Sequence, residues 1–448
     1  MNNPEGSARA CIQNMRDGSV TAESVANNCL TQIEAKASLN AWVYVNKELT
    51  LAQAKQADER RRSGKALGAL HGIPIGLKDI IDTNDMPTER GSVIFADRQP
   101  SDNAAVVDRL HEAGAVILGK TVTTEMAWMH QSDTRNAVNA EFSPGGSSSG
   151  SAAAIAAGQA FLTLGTQTGG SVIRPASFNG VYGYKPTRGL ISRRGVLQTS
   201  PTLDQLGMFG TDAGDLCLLA DVLKGYDSQD SQSYLAPRPE ILSGYLSEVP
   251  MEPALVWIDM PYADRYSESL NAGIDELCDV IGNHTGATLD RILAPQSFAA
   301  LPACHQIIYD VEILRSLDNE WTHHQEQLSD TAVAGLTRAQ KRTSDEYEEA
   351  LGILAAANTW FDTFFHDYDG ILTPSATGIA PRFGDGTGDP ICCVVWTLCG
   401  LPCLSMPLLS GEYDMPIGIQ LVGAAERDDR MMRTARWLIE ALNSLPDS

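Results

Sequence analysis

The sequence predicts an α/β fold built as a single large domain, and three observations carry that expectation. Segments of helical period alternate with short strand-like runs: Ala104–Ala113, closed by Gly114, is followed by the apolar run Ala115–Leu118. The 448 residues are 43% hydrophobic, enough for a large core, and no low-complexity linker divides them. Two Gly-Ser clusters, Gly145–Ser151 and Gly169–Ser171, lie within apolar sequence. Ala152–Ala157 follows the first and Phe161–Leu164 precedes the second, so neither cluster reads as a solvated spacer.

Taken in order, the chain opens with helices. Thr21 is placed as an N-cap, with Val25, Cys29, Leu30 and Ile33 following at helical spacing. A second helix covers Glu48–Arg62 and stops near Gly64. The run Gly72–Asp82, GIPIGLKDIID, alternates as a strand and carries Lys78 beside Ile80 and Ile81. An ammonium in apolar surroundings is disfavoured, and the neutral amine left behind can accept a proton. Asp212–Leu223 and Asn271–Val280 read as helices, and Ala254–Ile258 as a strand. Ala299–Asn358 is mostly helical by pattern. Asp369–Pro374, Leu401–Pro407 and Ile417–Gly423 read as strands. Asp428 is expected to cap a last helix with Met431, Met432, Ala435, Leu438, Ile439 and Leu442 on one face.

Charge and cysteine usage narrow the function classes. With 33 basic and 56 acidic residues the formal charge is −23, which argues against a nucleic-acid partner. The start, MNNPEGSARA, has neither a basic nor an apolar signal region, and no apolar run approaches the ~20 residues of a membrane span. A cytoplasmic location is expected. Four of nine cysteines fall in Cys392–Cys403, CCVVWTLCGLPC, where they read as small apolar core residues rather than as a metal or redox site. No metal or cofactor is expected.

The chemistry concentrates in Ser143–Lys185. Glycine lets the backbone bring a serine hydroxyl close to a carbonyl carbon, and N–H groups of a Gly-Gly turn can converge on an oxyanion. Gly145–Ser151, then Gly165-Thr166-Gln167-Thr168-Gly169-Gly170-Ser171, then Pro175-Ala176, together resemble the motif of the amidase signature family of serine hydrolases. The likeness runs from about Thr21 to Leu442.

The resemblance implies a mixed, twisted β-sheet core covered by α-helices. N-terminal helices would occupy about 1–65, a signature core 66–210, a variable helical pocket region 211–365, and a C-terminal sheet and helix segment 366–448. It implies that Ser171 is the nucleophile, Ser147 (after a cis peptide) the proton relay and neutral Lys78 the base. The backbone N–H groups of Thr168, Gly169, Gly170 and Ser171 would form the oxyanion hole. Met126, Trp128, Met129 and Tyr309 would line the substrate pocket or pack in the core, with Trp321, His323 and His324 as further candidates.

The expected reaction is cleavage of a carboxylic amide C–N bond through an acyl-enzyme, on a small-molecule amide, with a homodimer compatible. The alternatives are an A-type subunit of a glutamine-dependent tRNA amidotransferase, which supplies ammonia within an assembly, or a member acting on carbamates, ureas or esters. An α/β-hydrolase reading would make Ser148 the nucleophile of Gly146–Gly150. It fails because Asn139–Pro144 does not read as a strand and no histidine falls in a recognisable motif.

Several positions depart from the family pattern. Gln167 replaces a common Asp, and Arg174 sits three residues after the nucleophile instead of two, with Ile173 in the usual place. Ser149 replaces a common glycine, and Asn179 stands where cysteine is frequent.

Overall fold

In the computed structural model, which describes residues 6–445, eleven strands join in one mixed sheet. They are β1 (Trp42–Val45), β2 (Pro74–Lys78), β3 (Val116–Thr121), β4 (Leu162–Gln167), β5 (Tyr182–Lys185) and β6 (Gln205–Gly210). After these come β7 (Ala254–Asp259), β8 (Thr288–Leu293), β9 (Gly370–Pro374), β10 (Cys403–Ser410) and β11 (Pro416–Val422). The order across the sheet is β1-β3-β2-β4-β6-β5-β10-β11-β9-β7-β8. Parallel ladders join β3 to β2, β2 to β4, β9 to β7 and β7 to β8, and the remaining pairs are antiparallel. The single α/β domain with a mixed sheet covered by helices is therefore present.

Side chains that alternate along a strand face opposite sides of the sheet, so the strands feed two cores. Leu255 and Trp257 of β7 and Leu372 of β9 join the core that also holds the N-terminal helices. Their neighbours Val256, Ile258 and Ile371 join the core packed against helices Leu301–Ser316, Ser344–Phe364 and Ile391–Leu398. That second core contains Cys392, Cys393, Cys399 and Cys403 as buried packing residues.

Element by element, the strong sequence signals hold. Thr21 caps Ala22–Ala35 in a full capping box with Ser24, and Val25, Cys29 and Leu30 are buried. The helix expected over Glu48–Arg62 runs Lys47–Arg62, with Gly64 just beyond at φ 68°. The structure adds a helix at Ala8–Asp17 and the strands β1, β5, β6 and β8, which carry no clear period in the sequence.

One expectation is corrected. Asp428 does not cap the last helix but is its first residue, and the preceding Arg427 makes no side-chain cap. The Asp428 carboxylate turns into the core, accepting from Thr187 N at 2.9 Å and Tyr184 Oη at 2.6 Å. A buried acid with three donors around it satisfies the segment after β5 better than an exposed helix end would.

Asp428→Ala leaves buried donors of Tyr184 and Thr187 without an acceptor. The expected outcome is a loss of roughly 2–4 kcal/mol of stability, read as a lowered thermal midpoint, whereas a change within ±0.5 kcal/mol would contradict the assigned role.

Candidate active site

Lys78 ends β2, and β2 pairs in parallel with β4, so that Leu77 lies opposite Leu164. This register carries the lysine to the same end of the sheet as Thr166. Its Nζ lies 2.6 Å from Ser147 Oγ and 2.8 Å from Thr166 Oγ1, and the side chain is fully buried. Burial pulls the ammonium down to about 7, against a weaker opposing pull from the Asp204 carboxylate. As a neutral amine, Lys78 accepts from one hydroxyl and donates to the other. As an ammonium it donates to both.

Ser147 follows a cis peptide bond from Gly146. The loop that carries it starts at Gly145, whose φ of 80° is a left-handed conformation that favours glycine. The serines after it are structural. Ser148 Oγ donates to Thr166 O at 3.2 Å and Ser151 Oγ to Leu164 O at 2.9 Å, and both side chains are buried. Ser149, the departure from a common glycine, pairs with Ser132 Oγ at 2.8 Å. Gly150 must lack a side chain, because a Cβ there would stand 2.2 Å from Ala41 O. The inward hydroxyl of Ser148, bonded to β4, is unsuited to the nucleophile role of the α/β-hydrolase reading.

The second cluster forms the tight turn between β4 and helix Ile173–Asn179. Among the described residues, no backbone N–H from Thr168 through Ser171 is donated to another protein group, and Ser171 Oγ has no hydrogen-bond partner. Gln167 explains how the turn holds its shape. Its Oε1 accepts from Val172 N at 2.8 Å and Ile173 N at 3.0 Å, and its Nε2 donates to Thr397 Oγ1 at 2.9 Å. The carboxamide supplies the acceptor that an Asp would have supplied, without a charge.

On the other flank Thr168 Oγ1 donates to Asp204, which also takes Thr199 N at 2.7 Å and Ser200 N at 2.9 Å. Burial raises the Asp204 carboxyl above its ordinary range, opposed by these hydrogen bonds. His305 Nε2 lies 2.7 Å from Thr168 O, so that nitrogen carries the proton, and burial lowers the imidazole against the opposing pull of that carbonyl. Asn179 donates to Pro144 O and Pro175 O, both at 2.8 Å, fastening the two clusters together.

A cavity of about 410 Å³ opens over this turn. Thr168, Gly169, Gly170 and Ser171 line its floor, and Trp128, Met129, His305 and Tyr309 its wall. Trp128 and Tyr309 meet edge-on, with ring centroids 6.0 Å apart. Met126 is packed in the core instead, and Trp321, His323 and His324 are not among the lining residues. A larger, polar groove of about 560 Å³ between Gln53 and Ala115 holds none of the expected site residues.

The structure thus joins Lys78 to Ser147 and puts Ser171 on the floor of the neighbouring cavity, but Ser147 and Ser171 do not share a hydrogen bond. Sequence reasoning missed Thr166, Asp204 and His305 as site groups. Thr166 stood within the quoted motif and Asp204 within the family-like segment, while His305 had no local signal.

Comparison with known proteins agrees with the fold. The sequence pattern of the family described as Amidase matches residues 24–432. The Glutamyl-tRNA(Gln) amidotransferase A subunit of Chloroflexus aggregans is 32% identical over 93% of this chain and 92% of its own length. That of Carboxydothermus hydrogenoformans is 31% identical over 96% of each. Among solved structures, one described as a vestigial protein complex revealing the origins of an s-triazine catabolic enzyme superposes with a TM-score of 0.90. It is 26% identical and covers 98% of both chains. The native peptide amidase of Stenotrophomonas maltophilia shares the fold, with a TM-score of 0.86 at 24% identity over 99% of this chain and 98% of its own. Fold and relatives define an enzyme of amide C–N chemistry, a hydrolase or an amidotransferase. The chain belongs to the amidase signature family.

Gln167→Leu removes the acceptor for two turn amides and the donor to Thr397. Hydrogen exchange at Val172 and Ile173 is expected to accelerate at least tenfold, with a stability loss of about 2–4 kcal/mol. Unchanged protection of that peptide would show that the turn is held by other contacts.

Proposed function

We propose that this chain is a serine amidohydrolase that cleaves a carboxamide C–N bond through an acyl-enzyme on Ser171. The observation that carries the reading is the buried Lys78 amine, 2.6 Å from Ser147 Oγ, beside a cavity lined by Ser171 and four undonated N–H groups. Ser171 Oγ attacks the carbonyl carbon while its proton passes to Ser147, whose own proton goes to Lys78 Nζ. The oxyanion formed is met by the N–H groups of the Thr168–Ser171 turn, each worth about 3–4 kcal/mol of barrier. Return of the proton to the nitrogen breaks the C–N bond and releases ammonia or an amine. Water then adds to the ester, using the same relay, and releases the carboxylic acid. The step that this reading adds to the geometry is rotation of the unpartnered Ser171 hydroxyl toward Ser147.

A second reading is favoured by the 32% identity to amidotransferase A subunits over most of the chain. In it the same chemistry works on glutamine, and the ammonia passes to a partner subunit. Ammonia release by the purified chain from a panel of aryl and aliphatic amides, at turnover near the ordinary ~1–1,000 per second, supports the autonomous enzyme. Turnover of glutamine that appears only with partner subunits supports the second reading.

Ser171→Ala is expected to abolish amide turnover with the fold intact, and a rate near wild type would place the nucleophile elsewhere. Ser147→Ala should lower kcat severely while KM changes little, since the relay acts in the transition state. Normal acylation by that variant would end the relay assignment.

The base must be uncharged to act, so the active fraction grows as Lys78 loses its proton. Log(kcat/KM) should rise with unit slope below pH about 7 and level off above it. Lys78→Arg keeps its charge at every working pH and should be inactive. A flat profile from pH 5 to 9, or an active Lys78→Arg, would require another base.

A further inference from the structure

We propose that Asp204 is the counter-charge for the ammonium that Lys78 becomes during acylation, a positioning residue that acts through Lys78 and Thr168 without touching the substrate. This role presupposes the amidohydrolase reading and adds to it the group that supports its base.

The sheet places the two groups. β2, β4 and β6 are neighbours, Lys78 ends β2, and Asp204 immediately precedes β6. Lys78 and Asp204 therefore flank the end of β4 from its two sides. In the β4–β6 ladder Thr166 lies opposite Leu206 and Gln167 opposite Gln205. Side chains two residues apart share a face, so Thr166 and Thr168 meet Leu206 and Asp204 on one side of the sheet. The hydrogen bonds agree: Lys78 Nζ lies 2.8 Å from Thr166 Oγ1, and Thr168 Oγ1 donates to Asp204. Thr166, Thr168 and Asp204 also line a void of about 10 Å³, shared with Ile80, Val196 and Leu206. That is about the least space that holds one water. Lys78, Thr166 and Asp204 are all buried, so bulk water does not screen the carboxylate from the amine.

The carboxylate is well held but carries no ion pair. It accepts from Thr168 Oγ1, Thr199 N, Ser200 N and, at 3.3 Å, Thr199 Oγ1. Arg193 reaches only the backbone O of Asp204, at 3.2 Å, and gives its guanidinium to Asp230 at 2.7 Å. Other titratable groups nearby are engaged or neutral. Asp79, next to Lys78 in sequence, is taken by Glu89 N and Lys120. Glu312 is held by Ser200, Thr202 and Tyr347, and burial keeps His305 and Tyr309 uncharged. At position 167 a neutral carboxamide is enough to hold two amides, whereas position 204 keeps its charge. Burial dominates at Lys78, and the Asp204 carboxylate opposes it with a smaller pull. The resting amine can thus be neutral near pH 7, and the ammonium meets a fixed negative charge once the Ser147 proton arrives. That proton stays on Nζ, and Asp204 takes none.

Asp204→Asn removes the charge and little else. Its Oδ1 keeps the Thr199 and Ser200 amides, and its NH2 donates to the Thr168 and Thr199 hydroxyls, which reverse roles. Without the carboxylate the ammonium is less favoured, so Lys78 loses its proton at lower pH. The rising limb of log(kcat/KM) should move down by about one pH unit, and the plateau should fall at least about tenfold, because the ammonium formed in the transition state lacks its counter-charge. An NMR titration of Lys78 Cε in the Ser171→Ala protein, which needs no turnover, should show the same downward displacement when Asp204→Asn is added. A lower plateau with the limb and the Lys78 midpoint unmoved would reduce Asp204 to a structural residue and overturn the proposal, as would an upward displacement. If Asp204→Asn does not fold, Asp204→Ser, which leaves room for water at the two amides, is measured in the same two ways. The amidohydrolase reading is tested separately by Ser171→Ala and Lys78→Arg, and it survives a failure confined to Asp204.

Discussion

Lys78 Nζ sits where no water reaches it, and among the described residues its side-chain partners are two hydroxyls, those of Ser147 and Thr166. Much of the molecule's architecture follows from holding that amine dry. The parallel pairing of β2 with β4 puts Lys78 and Thr166 side by side at one end of the sheet. The inward serines Ser148 and Ser151 bond to β4 carbonyls, so the loop carrying Ser147 cannot drift from the strand. A small displacement would leave either a buried ammonium without partners or a hydroxyl without a base, and both are costly. The downward pull on Lys78 comes first from its burial.

The turn before Ser171 shows how one substitution reshapes a charge distribution. A carboxylate at position 167 would hold the Val172 and Ile173 amides and would also neutralise a nearby arginine. Gln167 does only the first of these tasks. Its amide nitrogen engages Thr397, whose hydroxyl lies 2.7 Å from Gly169 O and 2.9 Å from Cys393 O. The turn is therefore fixed by neutral hydrogen bonds to the helix Ile391–Leu398. Arg174 makes no ion pair within 4 Å among the described residues; its burial outweighs the longer-range pull of the Asp389 carboxylate. Asp204, on the opposite flank, is balanced by backbone amides and Thr168, and its pull on Lys78 is smaller than that of burial.

Much of this was legible in the sequence, for identifiable reasons. The strand ending at Lys78 announced itself through the alternation of Ile73, Ile75 and Leu77, although every position of the strand is buried. The two glycine-serine clusters were legible because their backbone geometry needs glycine at Gly145 and a missing side chain at Gly150. What stayed hidden was set by long-range contact. β5 and β6 are short and glycine-bearing, and their strand character comes from pairing with β10 and β4. Asp428 looked like a helix cap because capping is local, whereas its real partners, Tyr184 and Thr187, lie some 240 residues away. His305 reaches Thr168 O only once helix Leu301–Ser316 packs over the turn.

The same logic separates the pocket residues that sequence reasoning grouped together. Met126, Trp128 and Met129 are near neighbours in sequence, yet Met126 and Ala127 adopt positive φ values of 46° and 60°. That reversal sends Met126 into the core and leaves Trp128 and Met129 facing the cavity. Glu125 anchors the reversal by accepting from Ser329 N at 3.2 Å, at the start of helix Asp330–Ala339. Gly335 of that helix is where the Trp128 ring packs, since a Cβ there would fall 2.4 Å from the indole. The cavity wall is thus assembled from the turn after β3 and the helical segment after β8, two parts of the chain with no local sequence link. Their mutual fit sets the wall's shape, while the turn before Ser171 sets the chemistry. Substrate range can therefore change through the helical segment without disturbing the Lys78 amine or the hydroxyls around it.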